Sequence, residues 1–484
     1  MKRLPLACCA AALAGCTVGP NYQRPATAVP PAYAEPNASA ALADTDLATW
    51  WRGFGDPELD RLVNRAVAQG LDVQTAAARI REARAREGAA GAAALPQVSA
   101  NGSVTRQRIS EKAFPVPPGT SGGSGAGFAA PGTEFTTWRA GFDASWELDL
   151  FGKTRRSIEA ARARTGAALW TRRDVQVSTA AEVANAYLTL RTLQQRIAVA
   201  EAEAARQQRF ERLVGARVRG GLVTGEDLEQ QRSGLASARA AIPPLRAQEE
   251  AQIHALGVLT GTTPEALGAE LSAAAPLPPR LPQVPAGLPS DLLRRRPDIR
   301  AAERNLHAAT ADIGVATAYL YPRFSLSAAP ALVSTALTSL IEWGSRSFTA
   351  GAAVDWPLFN GGRTRANIAV ASAVQEQALI AYRKAILVAL QDAEDALARL
   401  DNDRRQVASL EDALRTAARA EDIARTRYRG GLVTYSEVLQ AQAGRLSLNS
   451  QLTEARGTQA RDTVALFKAL GGGWPELAQG GTAL

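Results

Sequence analysis

The chain contains itself twice. Arg217-Val-Arg-Gly-Gly-Leu-Val-Thr224 recurs as Arg427-Tyr-Arg-Gly-Gly-Leu-Val-Thr434, at an offset of 210. The same offset lays Trp146 on Trp356, Leu148 on Leu358, Gly152 on Gly362, Lys153 on Arg363, Thr154 on Thr364 and Arg155 on Arg365. Earlier in each half the offset is 226: Asp72-Val73 matches Asp298-Ile299, and Pro96 matches Pro322. The change falls in a Gly/Ser/Pro-rich stretch, 108–132, that is longer in the first half. One unit has been duplicated around a loop of variable length, and the period is far too long for a solenoid. Two copies of a domain-sized unit must pack together.

Each unit reads in the same order. A helix rich in Ala, Arg, Glu and Leu comes first, over 57 to about 94 and 291 to about 318, ended by Pro96 and Pro322. Two strands follow, separated by a loop. Next comes a proline-free helical stretch, Lys153–Arg219 and again Arg363–Arg429. At 1.5 Å per residue each would extend about 100 Å, which suggests a coiled coil. A Gly-Gly turn closes the stretch, and a further helix runs to about 259 or 470.

The strands alternate. Trp138, Ala140, Phe142, Ala144 and Trp146 share one face, against Arg139, Gly141, Asp143 and Ser145. The duplicate sets Phe348, Ala350, Ala352, Val354 and Trp356 against Ser347, Thr349, Gly351, Ala353 and Asp355. The preceding strands set Val98, Ala100, Gly102 and Val104, and Phe324, Leu326 and Ala328, against mostly polar neighbours. Such segments suit an outer-membrane barrel, apolar outward and polar inward. A half-buried soluble sheet alternates in the same way, so the N-terminus has to arbitrate.

Lys2 and Arg3 precede a short apolar run, 4–13, and then Leu13-Ala14-Gly15-Cys16. That is a secretory signal, too short to span as a helix. Its end resembles the bacterial lipobox, in which the cysteine becomes the first mature residue and carries lipid. Of three cysteines only Cys16 would survive cleavage, which leaves no disulfide within the mature chain. Thr17, where an Asp would favour inner-membrane retention, points to the outer membrane. Removing Lys2 and Arg3 takes the net charge from +8 to +6. The arginines are scattered among Glu and Asp on helical patterns and read as solvated faces, not as a nucleic-acid site. No apolar run after the signal reaches the ~18 residues of a membrane helix, so any crossing must use strands. Four strands cannot close, because lipid tolerates no open edge and the smallest such barrels have about 8 strands. The chain is therefore expected to oligomerise.

With a lipobox, two such repeats and the Arg-Gly-Gly-Leu-Val-Thr turns, the chain resembles the outer-membrane efflux proteins of the TolC/OprM type. Further support comes from Val18-Gly-Pro-Asn-Tyr-Gln-Arg-Pro25, Leu293-Arg-Arg-Arg-Pro-Asp-Ile299, Trp146-Glu-Leu-Asp-Leu-Phe-Gly152 and Trp356-Pro-Leu-Phe-Asn-Gly-Gly362. The resemblance implies a mixed membrane α/β fold: a trimeric TolC-like channel with a 12-stranded outer-membrane β-barrel, four strands per chain, continued by a periplasmic α-helical barrel. It implies partners as well, a periplasmic adaptor (membrane fusion protein) and an inner-membrane RND-type transporter. The expected division is a signal peptide 1–15, a lipid anchor and belt segment 16–55, a first repeat 56–260, an equatorial linker 261–289, a second repeat 290–470 and a tail 471–484. Strands are expected at about 97–106, 137–147, 323–332 and 347–357, with hairpin tips at about 220–225 and 430–435.

The tips Gly220, Gly221, Leu222, Val223 and Thr224, and Gly430, Gly431, Leu432, Val433 and Thr434, read structurally as tight helical hairpins. Glycine accepts the left-handed helix end, and Thr224 with Asp227 and Thr434 with Glu437 have capping-box spacing. The resemblance implies that the same tips form the periplasmic mouth and dock the adaptor. Relatives place an acidic gate residue where this chain has Gln440, and Ala443 stands where a basic partner is expected. Glu226, Asp227 and Glu437 are the other candidates for a gate. No phosphate loop, nucleophile elbow or metal-ligand spacing appears. His254 and His307 read as helix-face residues, so neither an enzyme, a cofactor nor a metal is expected. Two alternatives stay open: an outer-membrane duct for type I protein secretion, and a non-conducting envelope lipoprotein that serves as a spacer.

Overall fold

The computed structural model describes residues 17–34, 47–108, 110, 134–278, 280–282, 284, 287 and 289–474. In chain order the elements are α1 (Pro57–Gln69), α2 (Leu71–Ala92), β1 (Gln97–Arg108), β2 (Glu134–Leu148) and α3 (Lys153–Arg219). Then come α4 (Gly225–Ala240), α5 (Ile242–Leu259), the single turn α6 (Gly268–Leu271), α7 (Pro289–Arg295) and α8 (Pro297–Ala318). The chain finishes with β3 (Arg323–Ser334), β4 (Arg346–Asp355), α9 (Arg363–Arg429) and α10 (Tyr435–Ala469). Contacts divide the chain into two compact units. One holds the described residues of 17–24, 83–165 and 305–379, and the other those of 25–82, 166–304 and 380–474.

Three helices expected to be continuous are broken, each at a residue with a local reason. The first repeat's leading helix splits into α1 and α2 at Gly70. A Cβ there would sit 2.5 Å from the Ala66 carbonyl oxygen. Before the break, Asp56 caps α1 by accepting from the Glu58 and Leu59 amides, with Pro57 at the first turn. In the second repeat Pro297 separates α7 from α8. The return helix of the first repeat breaks at Ala241, ahead of Pro243 and Pro244. Neither proline can donate an amide to the preceding turn. Its counterpart α10 has no proline and runs unbroken.

The first unit carries an antiparallel sheet in the order β1-β2-β3-β4. Its register turns the alternation of single strands into a property of the sheet. Val98 lies opposite Ala144, Ala100 opposite Phe142 and Val104 opposite Trp138. Trp146 lies opposite Leu326, which lies opposite Ala352. All four apolar sets therefore share one face, because a slip of one residue would invert a whole strand. β2 starts at Glu134, earlier than the alternation suggests, where Glu134 faces Arg108 and receives a salt bridge from Arg106 at 2.8 Å. The duplication is visible in detail at the strand ends. Trp146 Nε1 donates to the Ala94 carbonyl at 2.9 Å, and Trp356 Nε1 to the Leu320 carbonyl at 3.0 Å.

The same unit holds the N-terminal segment. The Val18 amide donates to the Phe151 carbonyl at 3.2 Å. The buried guanidinium of Arg156 donates to the carbonyls of Val18 and Gly19 and to Asn21 Oδ1. Tyr22 stacks on His307, whose Nε2 meets Glu159 at 3.0 Å. At Gly19, φ is +87° and an added Cβ would fall 2.5 Å from the Gly314 Cα. Only paired glycines allow that approach.

The second unit is helical, with Phe54, Leu59, Leu62, Tyr187, Leu188 and Leu256 fully buried. Tyr187 Oη donates to Asp56 Oδ2 at 2.6 Å, so one carboxylate both caps α1 and satisfies a buried phenol.

Candidate functional site

The sheet face is the first functional surface. A soluble protein would cover it, yet Val98, Val104, Phe142, Leu326, Phe348 and Val354 all stand exposed. The opposite face carries Ser99, Asn101, Arg139, Asp143, Ser325 and Asp355, tied by Asn101–Asp143 and Arg323–Asp355 contacts. The outer edges of β1 and β4 have no strand partner among the described residues. Among the described residues no helix is long and apolar enough to cross a membrane. An exposed apolar sheet face of this extent marks contact with lipid or another chain.

The hairpin tips are the second surface, in the helical unit. At the end of α3 the Leu222 amide donates to the Arg217 carbonyl at 2.9 Å and the Gly221 amide to Val218 at 3.0 Å. At the end of α9, Leu432 donates to Arg427 at 2.9 Å and Gly431 to Tyr428 at 3.0 Å. Both are Schellman closures with a left-handed glycine, φ +70° at Gly221 and +73° at Gly431. They hold Leu222 and Leu432 in water, 74% and 75% exposed. Val223 and Val433 pack inward instead.

The two turns differ in their caps. Thr224 and Asp227 form a complete capping box. Thr434 makes no side-chain cap bond, contrary to the spacing-based expectation. Both Thr434 and Glu437 are exposed to solvent. Of the other gate candidates, Glu226 is exposed and accepts from Gln230, and Gln440 is exposed on α10. No ring of charge arises within one chain from these positions. Cys16 lies outside the described residues.

Behind the tips lies a cluster that the motif reading misses. Val214, Tyr428, Tyr435 and Val438 are buried together, with Phe210 stacked on Tyr435 at 5.2 Å. Tyr435 Oη bonds to the fully buried Gln231, and burial pushes its phenol well above the ordinary range. Arg217 lies over the Tyr428 ring at 4.6 Å. Further along the helices, buried Glu421 receives Arg206, Arg425 and Arg445, and Arg206 also meets Glu203. Removing that carboxylate would leave Arg425 and Arg445 without their partner, so the group ties α3, α9 and α10 into one arrangement. The only sequence signal for the cluster is that Tyr428 and Tyr435 flank the second Gly-Gly turn and not the first.

Among the described residues no group of three or more His, Cys, Asp or Glu could hold a metal. The surfaces that remain are an apolar sheet face and shaped helical tips, which suit passage and docking.

Comparison with known proteins agrees. The family model described as outer membrane efflux protein matches residues 62–262 and 288–472. The chain belongs to the outer membrane efflux protein family. It is similar to the pyoverdine export outer membrane protein OpmQ of Pseudomonas aeruginosa, 34% identical over 436 residues and 90% of each chain. It is also similar to the cation efflux system protein CusC of Escherichia coli, 31% identical over 477 residues, 98% of this chain and 99% of the relative. The solved outer-membrane channel OprN superposes with a TM-score of 0.85 at 32% identity, covering 95% of this chain and all of that one. The TolC/OprM-type fold, the outer-membrane location and the efflux-channel function follow from this membership. The relatives are channel and efflux proteins.

Proposed function

We propose that three copies of this chain close a twelve-stranded barrel and form the exit duct of a tripartite pump. The duct passes small molecules handed over by an inner-membrane RND-type transporter and a periplasmic adaptor. The observation that carries this reading is a four-stranded sheet with one exposed apolar face and two edges that are unpartnered among the described residues. Lipid permits neither edge to remain open.

The duplication argues that a copy of this same chain covers those edges. Within the chain, β2 and α3 of the first repeat are covered by the second repeat, and Ala160, Ala163 and Val177 are buried. The offset of 210 carries these residues onto Val370, Ala373 and Leu387, which are bare. A neighbour's first repeat would cover them as the second repeat covers their counterparts. Cys16 is proposed to carry the lipid anchor. The Gly-Gly-Leu-Val-Thr tips are proposed to dock the adaptor, with the mouth closed without the acidic residue that Gln440 replaces. The spans 56–260 and 290–470 are taken as the two efflux repeats, joined by the 261–289 linker.

The duplication also predicts the register between neighbours. Gly141 pairs with Ala331 across β2 and β3. Offsets of 210 and 226 convert this pair into Gly351 of one chain and Thr105 of the next. With both positions changed to cysteine, oxidation should produce a covalent trimer in the outer membrane. Crosslinks confined to dimers, or absent in protein of trimeric mass, would overturn the edge pairing.

A further inference from the structure

The lipid-facing side of the sheet is not uniform. A groove of about 1060 Å³ opens on it, lined by Phe142, Pro330, Leu332 and Phe348 and bounded by Trp343 and Arg346. That volume is slightly above the range of ordinary ligand pockets, about 300–1,000 Å³. Two sequence features create it. Pro330 has no amide to give, and the β2–β3 ladder lapses opposite it, between the Gly141–Ala331 and Ala144–Ala328 pairs. The neighbouring positions on the same face, Ala100, Ala140 and Ala328, are too small to fill the space.

The charge at the end of the groove makes it more than a gap. Arg346 lies opposite Leu332, which puts it on the apolar face. It stands at the end of β4 reached through the β3–β4 connection. That is the end remote from α8 and α9, on the outer-leaflet side. Its Nε donates to the Trp343 carbonyl at 2.8 Å, and its guanidinium covers the Trp343 ring. No carboxylate pairs with it among the described residues, whereas Arg323 at the other end of the sheet is paired with Asp355. Arg346 thus sits at headgroup depth, fixed by a tryptophan, with its terminal nitrogens unclaimed among the described residues. A barrel tolerates arginine at that depth. Planar guanidinium matches phosphate in a bidentate way.

We propose that this groove is a specific site for a phosphorylated glycolipid of the outer leaflet, with an acyl chain between Phe142 and Phe348 and the phosphate on Arg346. The inference rests on the sheet face being the lipid face. The occupant must be anionic, because the unpaired charge is positive, and amphiphilic, because the rest of the lining is apolar. An outer-leaflet lipid meets both conditions where the groove opens.

The test is native mass spectrometry of the full-length protein extracted from the outer membrane. The probes are bis-phosphorylated lipid A, its dephosphorylated form and phosphatidylglycerol. The wild type should retain lipid A over the dephosphorylated form by roughly tenfold, the scale of one charge-assisted contact. Arg346→Gln should abolish that preference, Arg346→Lys should keep part of it, and Trp343→Ala should weaken it. Equal retention of both lipid A forms by the wild type would reduce the groove to ordinary boundary lipid and overturn the site. So would unchanged selectivity in Arg346→Gln. Equal retention of phosphatidylglycerol would overturn the outer-leaflet assignment. Each variant should be extracted at wild-type oligomeric mass. Failure to insert at all would instead count against the lipid-facing reading itself.

Discussion

Replacing the left-handed glycine at each tip separates backbone shape from charge in adaptor docking. At Gly221 and Gly431 an added Cβ would meet nothing within 4 Å, so a clash contributes no cost. The whole penalty comes from φ, +70° and +73°, which an L-residue adopts at about 1–2 kcal/mol. Gly220 and Gly430 are the internal control. Their φ is not positive, and their nearest neighbours would lie at 3.6 and 3.5 Å, ordinary contacts. Alanine there should be close to neutral, since neither a positive φ nor a clash opposes it. The double variant Gly221→Val/Gly431→Val should therefore lose about 2–4 kcal/mol of tip stability, the two sites being separate turns. It unwinds the Schellman closures and moves Leu222 and Leu432. The assay is threefold: trimer in the outer membrane, adaptor crosslinking and resistance to an exported drug. The expected result is normal trimer, crosslinking reduced at least about tenfold and lost resistance, against wild-type behaviour for Gly220→Ala/Gly430→Ala. Full export by the valine pair, or equal loss in the alanine pair, would refute the view that tip conformation is what the adaptor reads.

Cys16→Ser should abolish metabolic labelling with a radioactive fatty acid while the barrel still inserts, and label recovered on the serine variant would exclude that lipid site. Asp403 offers a pH test. Burial pushes its carboxyl up to about 6, aided by the hydrogen bond and charge of Asp462 and opposed by Arg399 and Arg461. The native state therefore holds this proton more tightly than the unfolded state does. Stability should rise as pH falls through about 6 toward about 4, and be lowest above 6. Asp403→Asn should raise thermal stability at pH 7.5 by about 1 kcal/mol or less, since the pair is largely solvent-screened, and should narrow the gap between pH 7.5 and 5. A lower melting temperature for the variant at pH 7.5 would refute the sign.

The sheet was legible because a period of two is local. Trp138, Phe142 and Trp146 announce their face residue by residue, and the duplication supplies the same face again at Phe348 and Val354. The helix breaks were harder to read. Gly70, Pro243 and Pro297 are ordinary punctuation, but each lies inside an Ala- and Arg-rich run whose composition favours helix on both sides. The lock behind the tips was invisible for a different reason. Tyr435 and Gln231 are 204 residues apart, and Arg206 and Glu421 are 215 apart. No local pattern marks such a pair; only the folded hairpins bring them together. Arg156 is similar. It looks like one more surface arginine of a basic helix, yet it is 3% exposed and secures Val18, Gly19 and Asn21.

The most direct test of the duct is electrical. Purified full-length protein is reconstituted in a planar bilayer and recorded at single-channel resolution. The same sample carrying the Gly351→Cys/Thr105→Cys pair, oxidised, is followed as a covalent trimer. Discrete conductance steps that persist in the crosslinked trimer, and that disappear when the protein is kept monomeric, are the predicted result. A trimer that inserts fully and conducts nothing under any voltage would contradict the channel and leave the chain a structural element of the envelope.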